Sequence, residues 1–99
     1  MHDAPTTIVG LMHVALRIHG CRSLKEKRSA LKPCIQRLQE RFRIAVAEVG
    51  DHDVWGSAIV AAAAVSGDKT CVENALGQAL RYLEECPEVE VVDQRIEIL

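Results

Sequence analysis

The stretch Arg17-Ile18-His19-Gly20-Cys21-Arg22-Ser23-Leu24-Lys25-Glu26-Lys27-Arg28-Ser29-Ala30-Leu31-Lys32 holds the end of one element and the start of another. Before it, apolar residues alternate. After it, they recur with a helical period. Gly20 supplies a turn residue, and Ser23 followed three positions later by Glu26 reads as a capping box opening a helix. The stretch is also the one strongly basic segment. Six of the 12 lysines and arginines (Arg17, Arg22, Lys25, Lys27, Arg28 and Lys32) face a single acid, Glu26, in a chain of formal charge −2. Backbone N–H groups at a helix start, the positive end of the helix dipole and clustered cations together describe an anion site. The candidate RNA- or anion-binding residues are therefore Arg22, Ser23, Lys25, Lys27, Arg28 and Lys32.

Working outward, Ile8 to Ile18 alternates as a strand, with Ile8, Met12, Val14, Leu16 and Ile18 toward a core and Val9, Leu11, His13, Ala15 and Arg17 toward the other side. Leu24, Leu31, Cys34, Ile35, Leu38 and Phe42 form a helical stripe. Lys25, Arg28 and Lys32, at i, i+3 and i+7, run beside it. Pro33 falls inside that helix, where it removes a backbone donor and is expected to bend the helix near Ser29. From Arg43 to Val49 the pattern is again strand-like. The turn residues Gly50-Asp51-His52-Asp53 follow, and Trp55 to Ser66 returns as the second arm of a hairpin. Its alanines (Ala58, Ala61 to Ala64) favour helix by propensity, so a helical reading stays open there. The flanking turns and short length favour strand. Ser66-Gly67-Asp68 ends that run. Thr70 with Glu73 suggests a second capping box, and Val72, Leu76, Ala79, Leu80 and Leu83 form one helical face that stops before Pro87. Val89 to Leu99 alternates as a last strand.

The element order βαββαβ in about one domain's length defines an α+β sandwich of the ferredoxin-like type, a four-stranded antiparallel sheet with two helices on one face. Residues 1–7 read as a flexible leader and 8–99 as the single domain. A chain of 99 residues buries roughly two-thirds of its unfolded surface in one core. One sheet face is left uncovered, and Val9, Leu11 and His13 are the candidate contacts of a homodimer across it.

Composition narrows the field. The longest apolar run, Ala58 to Val65, is far short of the roughly 18–20 residues that span a bilayer, so no membrane segment is expected. The first residues lack a basic signal-peptide region, which makes the cytoplasm the default location. Cys21, Cys34, Cys71 and Cys86 show no paired spacing and read as free thiols of a reducing compartment. Cys21, beside Arg22 and Lys25 before a helix start, is the one whose acidity merits attention. His2, His13, His19 and His52 are scattered, and Asp51-His52-Asp53 reads as a polar turn rather than a ligand set, so neither metal nor cofactor is expected.

The segments Gly20-Cys21-Arg22-Ser23-Leu24-Lys25-Glu26-Lys27-Arg28, Ala47-Glu48-Val49, Asp51-His52-Asp53-Val54-Trp55 and the closing Val91 to Leu99 strand resemble the YlxP-like family of small uncharacterised bacterial proteins. The resemblance covers nearly the whole chain. It implies the same ferredoxin-like fold. Genes of that family often lie among genes for transcription termination, translation initiation and ribosome maturation, which implies a role near the ribosome or RNA. Pro33 and the proline-containing leader are the slight departures.

Three classes of function follow. The first is a non-catalytic accessory protein, RNA- or ribosome-associated, whose basic loop and first helix contact phosphates. An ordinary solvated helix flank would carry the same residues, and a pI near 6.1 argues against indiscriminate binding. No signature of a DNA sequence reader is present, and the first strand lacks the aromatics with which an RNA-recognition-motif sheet stacks bases. The second is a homo-oligomeric small-molecule or protein-interaction module built on the open sheet face. The third, remote, is a phosphate hydrolase of the acylphosphatase type, in which Arg22 would help cradle phosphate. That chemistry also needs an asparagine to hold water, and the sole asparagine, Asn74, falls in the second helix.

Overall fold

A computed structural model describes residues 4–99 of the protein. Of the expected leader, residues 1–3 (and with them His2) lie outside the described residues, and residues 4–7 are exposed and without regular structure. The elements are β1 (Ile8–Ile18), α1 (Leu24–Phe42), β2 (Ala45–Gly50), β3 (Ser57–Ser66), α2 (Lys69–Glu85) and β4 (Val89–Ile98). The sheet order is β2-β3-β1-β4, with every neighbouring pair antiparallel. This is the ferredoxin-like arrangement expected from the element order. Among the described residues, no helix is long and apolar enough to cross a membrane.

Period-two alternation decides which sheet face is buried. Met12, Val14, Leu16 and Ile18 of β1 and Ala58, Val60, Ala62 and Ala64 of β3 point into the core. They meet Leu31, Cys34 and Leu38 of α1 and Val72, Leu76, Ala79 and Leu83 of α2. The alanine-rich run is a strand despite alanine's helical propensity. Its ten-residue register against β1, from Ile8 opposite Ser66 to Arg17 opposite Ser57, satisfies its backbone in the middle of the sheet. Tertiary pairing outweighs the fraction of a kcal/mol per residue that propensity supplies. Small side chains on its inner face also let the helices approach.

Helix α1 begins as the sequence indicates. Ser23 is extended, its Oγ accepts from the Glu26 N–H at 3.1 Å, and Glu26 Oε2 accepts from the Arg22 N–H at 2.7 Å. Arg43 ends the helix in the left-handed region (φ 53°), donating its N–H to the Gln39 carbonyl at 3.0 Å. That cap delays β2, which starts at Ala45 rather than Arg43. Pro33 does not interrupt the helix. It lies on the exposed side, where the Ser29 carbonyl it deprives of a donor can take water instead. The cap of α2 differs from expectation. Asp68, not Thr70, is the N-cap; its Oδ1 accepts from the Thr70 N–H at 3.0 Å, which places Thr70 inside the first turn. The Ser66-Gly67 bend delivers Asp68 in the extended conformation that a cap requires, and Ser66 Oγ accepts its N–H at 3.2 Å.

Two acceptors of edge strand β2 are taken by side chains. Gln39 Nε2 donates to the Val46 carbonyl at 3.0 Å, and His52 Nε2, in the tautomer that protonates it, reaches the Glu48 carbonyl at 3.2 Å. An edge with occupied acceptors is a poorer template for strand addition.

Candidate functional site

The basic segment divides into two populations. Lys27 belongs to the core side of α1 and is 2 % exposed, the single buried charged residue among those described. Its ammonium lies 2.8 Å from Glu48 Oε2 and donates to the Asp51 carbonyl, tying α1 to the β2–β3 hairpin. Asp51 sits at φ 59°, its carbonyl also accepts from the Val54 N–H at 3.0 Å, and its Oδ2 accepts from Ser57 Oγ at 2.9 Å. Lys27 therefore cannot contact a phosphate, and its place among the anion-binding candidates is corrected: a lysine on a helix's inward face is kept there by a carboxylate that only the fold brings near. Ser23 is likewise occupied by capping. The Glu26 carboxylate lies at the helix start where an external anion was expected.

Arg22, Lys25, Arg28 and Lys32 remain, all exposed and none in an ion pair among the described residues. Lys25, Arg28 and Lys32 span about 10 Å along one flank of α1. Beside them, between α1 and edge strand β2, runs a groove of about 570 Å³ lined by Arg28 and Lys32 but also by Glu40 and Glu48, with Leu31 and Ile35. Charge is segregated over the whole chain. Nine of the 12 lysines and arginines lie between Arg17 and Arg43 with only Glu26 and Glu40 among them, so the rest of the molecule is strongly acidic. A body of that sign repels a polyanion except where α1 faces it.

On the opposite side of the sheet, Val9, Leu11 and His13 occupy the open face, half-buried by their strand neighbours. His13 stands between Ala61 of β3 and Arg95 of β4, and its Nδ1 is enclosed without a hydrogen-bond partner among the described residues. The face is apolar at Val9, Leu11 and Ala15 of β1 and over the alanines of β3 and β2, but charged along β4 and at the Arg17 end, where Arg95 pairs with Glu97 at 3.7 Å and Glu90 with Arg17 at 3.3 Å.

The thiols are free. Burial, then the neighbouring Cys86, pushes the Cys34 thiol up to about 11, so it stays protonated at neutral pH and has little nucleophilic character. Cys86 donates to Glu88 Oε2 at 3.0 Å and holds that carboxyl below the usual range. Cys21 Sγ donates to the Ser23 carbonyl at 3.2 Å.

One cluster escaped the sequence reading. At the C-terminal ends of the helices, Arg41 lies over the rings of Phe42 and Tyr82, 5.7 and 5.6 Å from their centroids. The two rings meet edge to face at 5.9 Å. The neighbouring Tyr82 phenol raises the pKa of the Arg37 guanidinium. The i, i+4 spacing of Arg37 and Arg41 was visible, but their partner on α2 was not.

Fold and surface together define a small ferredoxin-like domain with a cationic helix flank, unpaired among the described residues, on an acidic body. The chain belongs to the family described as "Protein of unknown function (DUF503)", whose model matches residues 9–96. It is 32% identical over 90 residues to the "Uncharacterized protein YlxP" of Bacillus subtilis (strain 168), covering 91% of this chain and 98% of that protein. The YlxP-like resemblance is thereby established. Among solved structures it is similar to "De novo designed protein Foldit4", with a TM-score of 0.52 and 15% identity over 94% of this chain and 93% of that one, a likeness of fold alone.

Proposed function

We propose that the protein is a non-catalytic accessory of RNA, its α1 flank contacting phosphates of structured or ribosomal RNA. The observation that carries this reading is the row Arg22, Lys25, Arg28 and Lys32, exposed and without carboxylate partners among the described residues. Unpaired cations over about 10 Å of rigid helix match the repeat of a phosphate backbone better than they match a small anion. Lys27 supports the row indirectly by fixing the helix to the hairpin.

The test is binding of the purified protein to ribosomal subunits and structured RNA across a salt series, beside a Lys25→Ala, Arg28→Ala, Lys32→Ala variant. Lys27 stays intact, so the variant keeps its fold. Wild-type binding should be saturable and weaken with salt, and the variant's log–log salt slope should be shallower by about 2–3, one contact per cation removed. Equal slopes for the two proteins would overturn the assignment to this flank.

A second reading, a homodimer through the open sheet face, is favoured by one observation: Val65 is 70% exposed on that face, opposite the half-buried Val9. Light scattering at increasing concentration should show a dimer that Leu11→Glu reduces to monomer. A monomer at about 100 µM, a concentration at which a micromolar dimer would be almost fully formed, removes this reading.

A further inference from the structure

We propose that the groove between the C-terminal halves of α1 and α2 binds a nucleoside monophosphate unit, its base stacked on the Arg41 guanidinium and its phosphate held by Arg81. The site is separate from the cationic flank and does not depend on it. The groove measures about 590 Å³ and is lined by Arg41, Phe42, Gln78, Arg81, Tyr82 and Glu85, within the range of about 300–1,000 Å³ typical of small-molecule sites.

Three features select this ligand. First, the chain has one phenylalanine and one tyrosine, and both stand here. They form one edge-to-face pair with Arg41 laid over both rings. With its guanidinium carbon 5.7 and 5.6 Å from the two centroids, Arg41 is within cation–π reach of both rings, and an arginine held beside aromatic rings is a platform on which a nucleobase can stack. Arg41 is exposed, so its guanidinium is accessible to a ligand. Second, neither Arg41 nor Arg81 is ion-paired among the described residues, leaving planar donor forks suited to phosphate. Third, Gln78 and Glu85 supply a donor–acceptor amide and a pure acceptor at the rim. A carboxylate there can accept from the exocyclic amine of a base.

The test is a ¹H–¹⁵N NMR titration of the whole chain with AMP, adenosine, inorganic phosphate and the single-stranded trinucleotide ApApA. AMP should shift the amides of Arg41, Phe42, Gln78, Arg81 and Tyr82 saturably. Adenosine should shift the same set more weakly. Arg81→Gln should weaken AMP by at least about fivefold while leaving adenosine unchanged, since it removes one charge-assisted contact to the phosphate. Arg41→Ala should weaken both, and the same spectra report whether each variant is folded. If ApApA binds more than about tenfold tighter than AMP, a difference of 1.4 kcal/mol, the source is single-stranded RNA; equal affinity assigns a free nucleotide. The proposal is overturned if neither AMP nor ApApA gives saturable shifts by about 10 mM, a limit set by millimolar affinity, or if inorganic phosphate alone reproduces the AMP shifts. The Lys25→Ala, Arg28→Ala, Lys32→Ala variant should titrate like wild type, which separates failure of the flank from failure of the groove.

Discussion

Lys27→Ala is expected to cost about 3 kcal/mol of folding stability, the lower end of the range for breaking a buried ion pair. The lysine is 2% exposed on its side chain and Glu48 23%, so the abandoned carboxylate can recover part of its hydration, which is why the upper end does not apply. The Asp51 carbonyl would keep only the Val54 N–H, and the hairpin would lose its attachment to α1. With a typical total stability of about 5–15 kcal/mol, this is a large fraction. The measurement is urea unfolding: the midpoint should fall with the slope unchanged. Lys27→Met keeps the apolar stem but no donor, and should cost nearly as much. Lys27→Met with Glu48→Leu should recover most of the loss, because removing both charges removes the desolvation penalty with them. A Lys27→Ala variant as stable as wild type would show that the pair does not hold the hairpin. Any loss of RNA binding in Lys27 variants should track the unfolded fraction, unlike losses in Lys25, Arg28 or Lys32 variants.

Gly10→Val should be comparably damaging, through overpacking. Gly10 lies on the core face of β1 under α2. A Cβ there would overlap Val72 Cγ1 and lie 2.9 Å from Leu76 Cδ1. The Leu76 methyl can swing aside. Val72 cannot, since its branched Cβ holds one rotamer on the helix, so α2 itself must lift from the sheet. Overpacking of this kind costs about 1–3 kcal/mol, and valine, with three added carbons, belongs at the upper end even after its better strand propensity. The melting temperature should drop by roughly 12–24 °C for 3 kcal/mol in a domain of this size. Gly10→Val combined with Val72→Ala should regain part of that. A melting temperature within a few degrees of wild type for Gly10→Val would mean that α2 does not seat as closely as the geometry requires.

How much of this was legible in the sequence varies by element. Ser23 and Glu26 announced the start of α1 correctly because a capping box is closed within four residues. The α2 start was misplaced by two residues because Asp68 and Thr70 are both competent caps, and the choice rests on how the Ser66-Gly67 bend presents the backbone. The alanine run was ambiguous in isolation. Its pairing with β1 and β2 on both sides made it a strand. Among the candidate site residues, Lys25, Arg28 and Lys32 were placed correctly on one flank by helical periodicity. Lys27 sits instead on the apolar side of the helix, three residues after Leu24 and four before Leu31, where Glu48 keeps its charge.

The sequence by itself determined both helices, the inward face of the first strand and the first helix cap, because these depend on interactions between residues two to four positions apart. Only the tertiary structure decided which cations are free. Lys27 finds Asp51 24 residues away, Arg41 finds Tyr82 on another helix, and Gly10 is made indispensable by a helix that the chain reaches some 60 residues later. Desolvation is the physical reason: whether a charge is hydrated or must be paired depends on what covers it, and what covers it is set by the packing of distant segments.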